Sequence, residues 1–254
     1  MYDIASIYQA RSVADAIRAL QADPSALVIA GGTDVLIKVR EGKLAGCSLV
    51  SIHGLGEAVD QAGGPQLRAA GTIGGNVCNG ITSADSASTL MALGAVLRVR
   101  SPRGEREVPI AQWYKGVGKV DLAHEELLVK IVIPRANCEG YTGHYIKYAM
   151  RSAMDIATLG VSCLVKLSAD KRTVEEARLA FGVAGPVPMR ACGAEAAVRG
   201  LPIGEAVGRI GRAALEDVHP RSSWRASKEF RLQLVEELSG RALREAARKG
   251  GAQI

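Results

Sequence analysis

Aromatic side chains are scarce: two Trp, six Tyr and two Phe, 4% of 254 residues. Such a chain lacks the stacking platforms on which single-stranded nucleic acid is bound. No run of eighteen apolar residues occurs, so no membrane-spanning helix is expected. The opening stretch MYDIASIYQARSVADAI has neither a basic region leading into an apolar core nor the Arg- and Ser-rich, acid-poor bias of a transit peptide. A cytoplasmic protein with no membrane association is therefore expected. Five cysteines (Cys47, Cys78, Cys138, Cys163, Cys192) are odd in number and form no C-x-x-C pair. That argues against a disulfide framework, a zinc site and a self-contained iron–sulfur cluster, and places any redox metal on a partner. Four histidines (His53, His124, His144, His219) show no metal-ligand spacing and no G-x-S-x-G is present, so no catalytic acid, base or nucleophile is named. The formal net charge is +6, yet basic and acidic residues alternate, as in KEFRLQLVEELSGRALREAARKG. No phosphate-tracking stripe results, and nucleic acid is not expected as a partner.

What is present is periodicity. Ser12 suits a helix N-cap, Asp15 sits at capping-box distance, and Val13, Ile17 and Leu20 recur at helical spacing until Asp23 and Pro24 stop them. ALVIA (26–30) and SLVSIHG (48–54) read as short buried strands. From Ala95 the chain alternates, turns through SPRGE and returns, which predicts a hairpin; ELLVKIVIP (126–134) alternates again. Beyond PRANCEGYTGH, three strand-like runs (YIKYAM, ATLGVSCLVKLSA, EEARLAFGVAG) precede three helices. The last of these is expected from about Ser222, with Phe230, Leu234 and Leu238 on one face.

Two glycine pairs stand out. AGGTD (30–34) ends an apolar run, and GTIGGNVCNG (71–80) leads toward a helix that Asp85 or Ser86 would cap, with Ala87, Leu90 and Leu93 inward. Glycine lets a backbone approach a ligand closely, and converging amides near a helix start suit an anion. Asp34 suits either a sugar hydroxyl or a turn cap, and an ordinary tight turn also explains the first pair. Neither stretch has the P-loop or Rossmann spacing. Taken singly, Asn76 suits a left-handed turn position, Lys147 a solvated strand position and Leu128 the core.

LVIAGGTDVLIKVREG followed by RAAGTIGGNVCNGITSADSASTLMALGA resembles the FAD-binding, medium subunits of the molybdenum hydroxylases, the xanthine dehydrogenase and carbon monoxide dehydrogenase group. The likeness continues through SPRGEREVPIAQWYKGVGKVDLAHEELLVKIVIP, HYIKYAMRSAMDIATLGVSC, RLAFGVAGPVPMR and HPRSSWRASKEFRLQLVEEL, and is strongest to the separate-chain FAD subunits of bacterial xanthine dehydrogenases.

The resemblance implies an α+β chain: a vanillyl-alcohol-oxidase-type FAD-binding domain over 1–138, then a smaller α+β domain over 139–254 built on a three-stranded antiparallel sheet. It implies that the first loop, Val28, Ile29, Ala30, Gly31, Gly32, Thr33, Asp34 and Val35, wraps the FAD pyrophosphate. Thr72, Gly75 and Asn76 form the second loop, and Asp85 bonds a ribose or ribityl hydroxyl. Leu128 lies against the flavin ring, and Lys147 matches a family lysine that contacts the cofactor. The implied assembly is a heterotrimer with an iron–sulfur subunit bearing 2Fe–2S clusters and a large subunit bearing the molybdopterin cofactor. The resemblance further implies that electrons pass through FAD to NAD in purine metabolism. In one respect the chain departs from the family: VSIHGLGE runs almost directly into AVDQAGGPQLRAAGTIGGN, so a segment is missing at Glu57–Ala58. The residues leave two rivals open, a stand-alone flavoenzyme and a non-enzymatic nucleotide-binding scaffold.

Overall fold

The computed structural model describes residues 3–30, 32–33, 35–44, 47–51, 69–151 and 154–253. The seam at Glu57–Ala58 lies outside them. Among the described residues three hydrophobic cores form.

The first core belongs to strands β1 (Ile4–Gln9), β2 (Leu27–Ile29) and β3 (Cys47–Ser51), which form a parallel sheet in the order β1-β3-β2, with helices α1 (Val13–Ala22) and α2 (Val35–Arg40) between them. Ser12 caps α1 as expected, its Oγ accepting the Asp15 amide at 3.1 Å. Asp15 does not close a capping box; its carboxylate instead takes the Arg11 amide at 2.9 Å and the Tyr8 hydroxyl at 3.0 Å. Ala16, Ile17 and Leu20 bury the inner stripe of α1. β2 was expected to be buried, but Leu27, Val28 and Ile29 are all half-buried because β2 is an edge strand of this small sheet.

In the middle core, the predicted hairpin is β4 (Val96–Ser101) and β5 (Gly104–Pro109), and β8 (Leu127–Val132) pairs with the other edge of β4. Arg98 pairs with Lys130 but Val99 with Leu128, which leaves Val129 as a bulge. The extra residue turns Leu128 and Ile131 onto the same core while Leu127 and Val129 pack on the N-terminal one. Helices α3 (Ile73–Cys78), α4 (Asp85–Ala92) and α5 (Ile110–Trp113) close this core, with the short pair β6 (Tyr114–Gly116) and β7 (Lys119–Val120) beyond. The stretch expected as a glycine loop is thus helical. Thr72 caps it by accepting the Gly75 amide at 3.0 Å, and buried Trp113 donates Nε1–H to the Val77 carbonyl at 3.2 Å. Leu93, expected inward on the helix, is its C-cap and only half-buried.

The C-terminal sheet contains the three expected strands, β9 (Thr142–Tyr148), β10 (Leu159–Leu167) and β11 (Val174–Gly182), joined by a two-residue fourth, β12 (Met189–Arg190), in the antiparallel order β12-β11-β10-β9. Period-2 alternation gives it two covered faces. Val161, Cys163, Leu179 and Phe181 meet α6 (Cys192–Val198), α7 (Ile203–Ala214) and α8 (Lys228–Lys249). Ser162, Leu164 and Ala180 turn the other way, toward α4, where the Ser162 hydroxyl shares hydrogen bonds with Ser88 (2.9 Å) and Thr89 (2.8 Å). α8 starts later than expected, with Ser227 as its cap accepting the Phe230 amide at 3.1 Å. Leu234 and Leu238 are buried, whereas Phe230 stays at the surface against the Tyr148 ring. A Cβ on Gly211 of α7 would stand 1.9 Å from the Glu236 carbonyl oxygen, so the α7–α8 crossing exists only because no side chain is there. Among the described residues no helix is long and apolar enough to cross a membrane.

Candidate functional site

The candidate residues come from three parts of the chain, and hydrogen bonds tie the second loop to the start of α4 and Asp85 there to Lys147 on β9. In the first loop, Val28 and Ile29 end β2, and Ala30, Thr33 and Val35 are half-buried. Gly32 adopts φ +71°, a left-handed conformation, and its carbonyl accepts the Leu36 amide at 3.0 Å to start α2. Gly31 and Asp34 lie outside the described residues.

In the second loop, Thr72, Gly75 and Asn76 sit on the first turn of α3. Asn76 is not in a left-handed turn; it is helical, and its Oδ1 accepts the Ser86 hydroxyl at 2.5 Å, tying α3 to the start of α4. A Cβ on Gly75 would press on Thr72 Oγ1 at 3.0 Å, whereas a Cβ on Gly74 would meet nothing within 4 Å. Gly75 lets the cap close, and Gly74 leaves open space beside the helix start, where the Ile73 and Gly74 amides have no intrahelical acceptor.

Asp85 begins α4 but does not cap it; the cap position is Ala84, with no side-chain bond. Its carboxylate crosses to β9 instead. Oδ2 accepts from Lys147 Nζ at 2.7 Å and Oδ1 from the Tyr145 hydroxyl at 3.0 Å. The Asp85 and Lys147 side chains are 16% and 28% exposed, so the pair is screened far less than a surface bridge. Tyr145 and Lys147 share a face of β9, two residues apart. Across the ladder from Lys147 lies Gly160, where a Cβ would stand 3.2 Å from the Tyr145 hydroxyl; glycine makes room for that ring to reach Asp85. Burial, then the Asp85 charge, pushes the Tyr145 phenol well above the usual tyrosine range. Tyr145 was not among the residues singled out in the sequence, although its strand parity with Lys147 was the available signal.

Leu128 is half-buried on β8 and packs on the middle core alongside Ile73 and Cys78, while Val28 packs on the N-terminal core alongside Val129. β8 is thus the strand the two loops have in common. Among the described residues no hydrogen bond or ion pair joins the first loop directly to the second. An open groove of about 400 Å³ between β1 and α1, lined by Tyr8, Asp15, Arg18 and Leu49, includes none of these residues.

Comparison with known proteins supplies the context. Residues 52–136 match the family described as "FAD binding domain in molybdopterin dehydrogenase", and residues 144–246 the "CO dehydrogenase flavoprotein C-terminal domain". The chain is 38% identical over 293 positions to the xanthine dehydrogenase FAD-binding subunit of Escherichia coli O157:H7, covering all of both chains. Those 293 positions exceed the 254 residues here, so parts of the relative have no counterpart in this chain. It is 31% identical over 186 residues to the glyceraldehyde dehydrogenase medium chain of Sulfolobus acidocaldarius, covering 73% of this chain and 64% of that one. The fold matches a chain of carbon monoxide dehydrogenase from Hydrogenophaga pseudoflava with a TM-score of 0.89 at 24% identity, covering 98% of this chain and 99% of that one. The chain therefore belongs to the FAD-binding subunits of the molybdenum hydroxylases, the flavoprotein components of xanthine dehydrogenase- and carbon monoxide dehydrogenase-type oxidoreductases.

Proposed function

We propose that this chain is the electron-transfer subunit of a xanthine dehydrogenase-like molybdenum hydroxylase, passing electrons from a partner's iron–sulfur clusters through FAD to NAD. The observation that carries this reading is the meeting of Asp85 with Lys147 and Tyr145. Residues from the two separately matched segments come together at hydrogen-bond distance beside the second glycine loop. Residues 1–138 form the FAD-binding unit in this reading and 139–254 the C-terminal unit.

The residues present fit the cofactor. The Ile73 and Gly74 amides, which lack an intrahelical acceptor beside the open side of Gly74, would hold the diphosphate together with the first loop (Val28, Ile29, Ala30, Gly31, Gly32, Thr33, Asp34, Val35). Thr72 and Gly75 fix the direction of those amides, and Asn76 locks α3 to α4 through Ser86. Asp85 already accepts two hydrogen bonds, so its main part is to hold the Lys147 ammonium in place; its remaining lone pairs serve a sugar hydroxyl. Leu128 offers apolar surface to the ring. Bound FAD supplies a carrier that accepts electrons singly and releases them as a hydride. The partners in this reading are an iron–sulfur subunit and a large molybdopterin subunit on which substrate is hydroxylated, all in the cytoplasm.

An absorption spectrum of the purified chain tests the reading. Flavin bands at one FAD per chain, bleached by NADH with no other substrate, are expected. A folded, colourless protein contradicts it, and bleaching by a small organic substrate alone points to a self-contained oxidase.

A further inference from the structure

We propose that Thr82 is a positioning residue for the cofactor: its hydroxyl fastens the connection between α3 and α4 to the bend after β11, and so fixes the second cofactor-binding stretch against the C-terminal sheet. This role rests on the chain's binding FAD as proposed above. No contact between Thr82 itself and FAD is part of it.

The bend has a strained backbone. Val183, the first residue after β11, has φ +70°. A β-branched residue in the left-handed region is crowded by its own backbone, and such a conformation persists only where neighbouring groups over-determine it. Two groups from elsewhere in the chain hold it here. The His219 amide donates to the Ala184 carbonyl at 2.9 Å. Thr82 Oγ1 takes both ends of the bend, accepting the Val183 amide at 3.2 Å and donating to the Gly185 carbonyl at 3.3 Å. One hydroxyl thus satisfies a donor and an acceptor that lie 101 and 103 positions away in sequence. The two backbones also pass closely: a Cβ on Gly182 would stand 2.9 Å from the Thr82 carbonyl oxygen.

This crossing joins the two separately matched segments of the chain at a point between α3 and α4. The α3–α4 connection is held on one side at Gly80, whose carbonyl accepts the Gly118 amide from the β6–β7 turn at 3.0 Å. On the other side Asp85 reaches Lys147 and Tyr145 on β9. Thr82 lies between these anchors. Without its hydroxyl, Val183 is free to relax toward extended backbone, the Val183 amide and Gly185 carbonyl lose their partner, and the connection that carries Asn76 at one end and Asp85 at the other loses its stop. A binding constellation has to be held to within about 0.5 Å, so the loss is felt at the cofactor although Thr82 does not touch it.

The test titrates the flavin-stripped chain with FAD, followed by flavin fluorescence, and compares wild type with Thr82→Val, Thr82→Ser and Gly182→Ala. Far-UV circular dichroism and the urea midpoint of each flavin-free protein are recorded alongside. Thr82→Val removes the hydroxyl at nearly constant shape; native dichroism and roughly tenfold weaker FAD binding are expected, the net value of about one lost hydrogen bond. Thr82→Ser keeps the hydroxyl and should bind FAD nearly as tightly as wild type. Gly182→Ala presses on the same crossing from the C-terminal side and should also weaken binding, so it carries the test if Thr82→Val does not fold. Wild-type FAD affinity in folded Thr82→Val and Gly182→Ala, even with lowered urea midpoints, marks a purely structural contact and overturns the proposal. Thr82→Ser binding as weakly as Thr82→Val overturns it too. A folded wild-type chain that binds no FAD fails the functional reading and this role with it, whereas wild-type binding that no variant alters fails this role alone.

Discussion

Tyr145→Phe removes a single hydroxyl from the cluster that ties α4 to the C-terminal sheet, and its cost follows from geometry. The bond is 3.0 Å to a carboxylate whose side chain is 16% exposed, and the ring keeps its place over Gly160, so no cavity forms. A hydrogen bond to a charged group at the modest end of its range sets the loss at about 1.5 kcal/mol. Asp85→Ala removes both bonds and leaves the Lys147 ammonium without its counter-ion. Breaking a fully buried pair costs about 3–5 kcal/mol; with Lys147 28% exposed, about 3 kcal/mol is expected. Because both substitutions act on one bond, they should couple by about 1 kcal/mol in a double-mutant cycle. Urea unfolding of the four flavin-free proteins at pH 7.5, followed by far-UV circular dichroism, measures it. Additivity to within about 0.3 kcal/mol would refute the cluster's role. A pH series adds an independent check. Folding raises the Tyr145 phenol above its unfolded value, so its contribution is complete below about pH 10 and is lost as pH rises beyond that. The stability gap between wild type and Tyr145→Phe should therefore shrink in strong alkali.

Three further outcomes are expected. Gly211→Ala forces α7 and α8 apart against the Glu236 carbonyl and should lower stability by about 3 kcal/mol, whereas Gly208→Ala, one turn earlier with nothing within 4 Å, should be neutral or stabilising by a few tenths; thermal unfolding separates them. Thr72→Ala loses the α3 cap, costing about 1 kcal/mol and weakening FAD binding with no change in far-UV dichroism, as flavin-fluorescence titration would report. With a thiol reagent at pH 8, exposed Cys138 and Cys192 should react fast, half-buried Cys78, whose thiol is pushed up to about 12 by desolvation, far more slowly, and buried Cys163 only on unfolding; mass spectrometry of the labelled sites decides.

Elements built on local repetition were legible in the sequence. Ser12 followed by Val13, Ile17 and Leu20 specifies α1, and the alternations of β4, β5 and β9–β11 specify their sheets, because cap and periodicity lie within one short window. Elements decided by distant partners were not. TIGGNVC reads as a loop because glycine disfavours helix; it is helical because Thr72 caps it and Trp113, thirty-six positions from Val77, holds its end. Asp85 reads as a helix cap, since only neighbours in sequence are visible there, yet its carboxylate is taken by residues 60 and 62 positions away. Phe230 keeps helical spacing with Leu234 and Leu238 but lies in the first turn of α8, before that helix meets its core, so it rests on Tyr148 instead. The resemblance names Thr72, Gly75, Asn76, Asp85 and Lys147 as candidates, but it says nothing of the Ser86 bond to Asn76 or the Tyr145 bond to Asp85, which join positions far apart in sequence or on different elements.

In the proposed site, main-chain amides of the first glycine loop and of the start of α3 grip a diphosphate. The direct measurement is a paired titration of the flavin-stripped chain with FAD and with riboflavin, followed by quenching of flavin fluorescence. Two or three charge-assisted hydrogen bonds to phosphate predict FAD binding roughly a thousandfold tighter than riboflavin. Equal affinity for the two, or no binding of FAD by a folded chain, would contradict it.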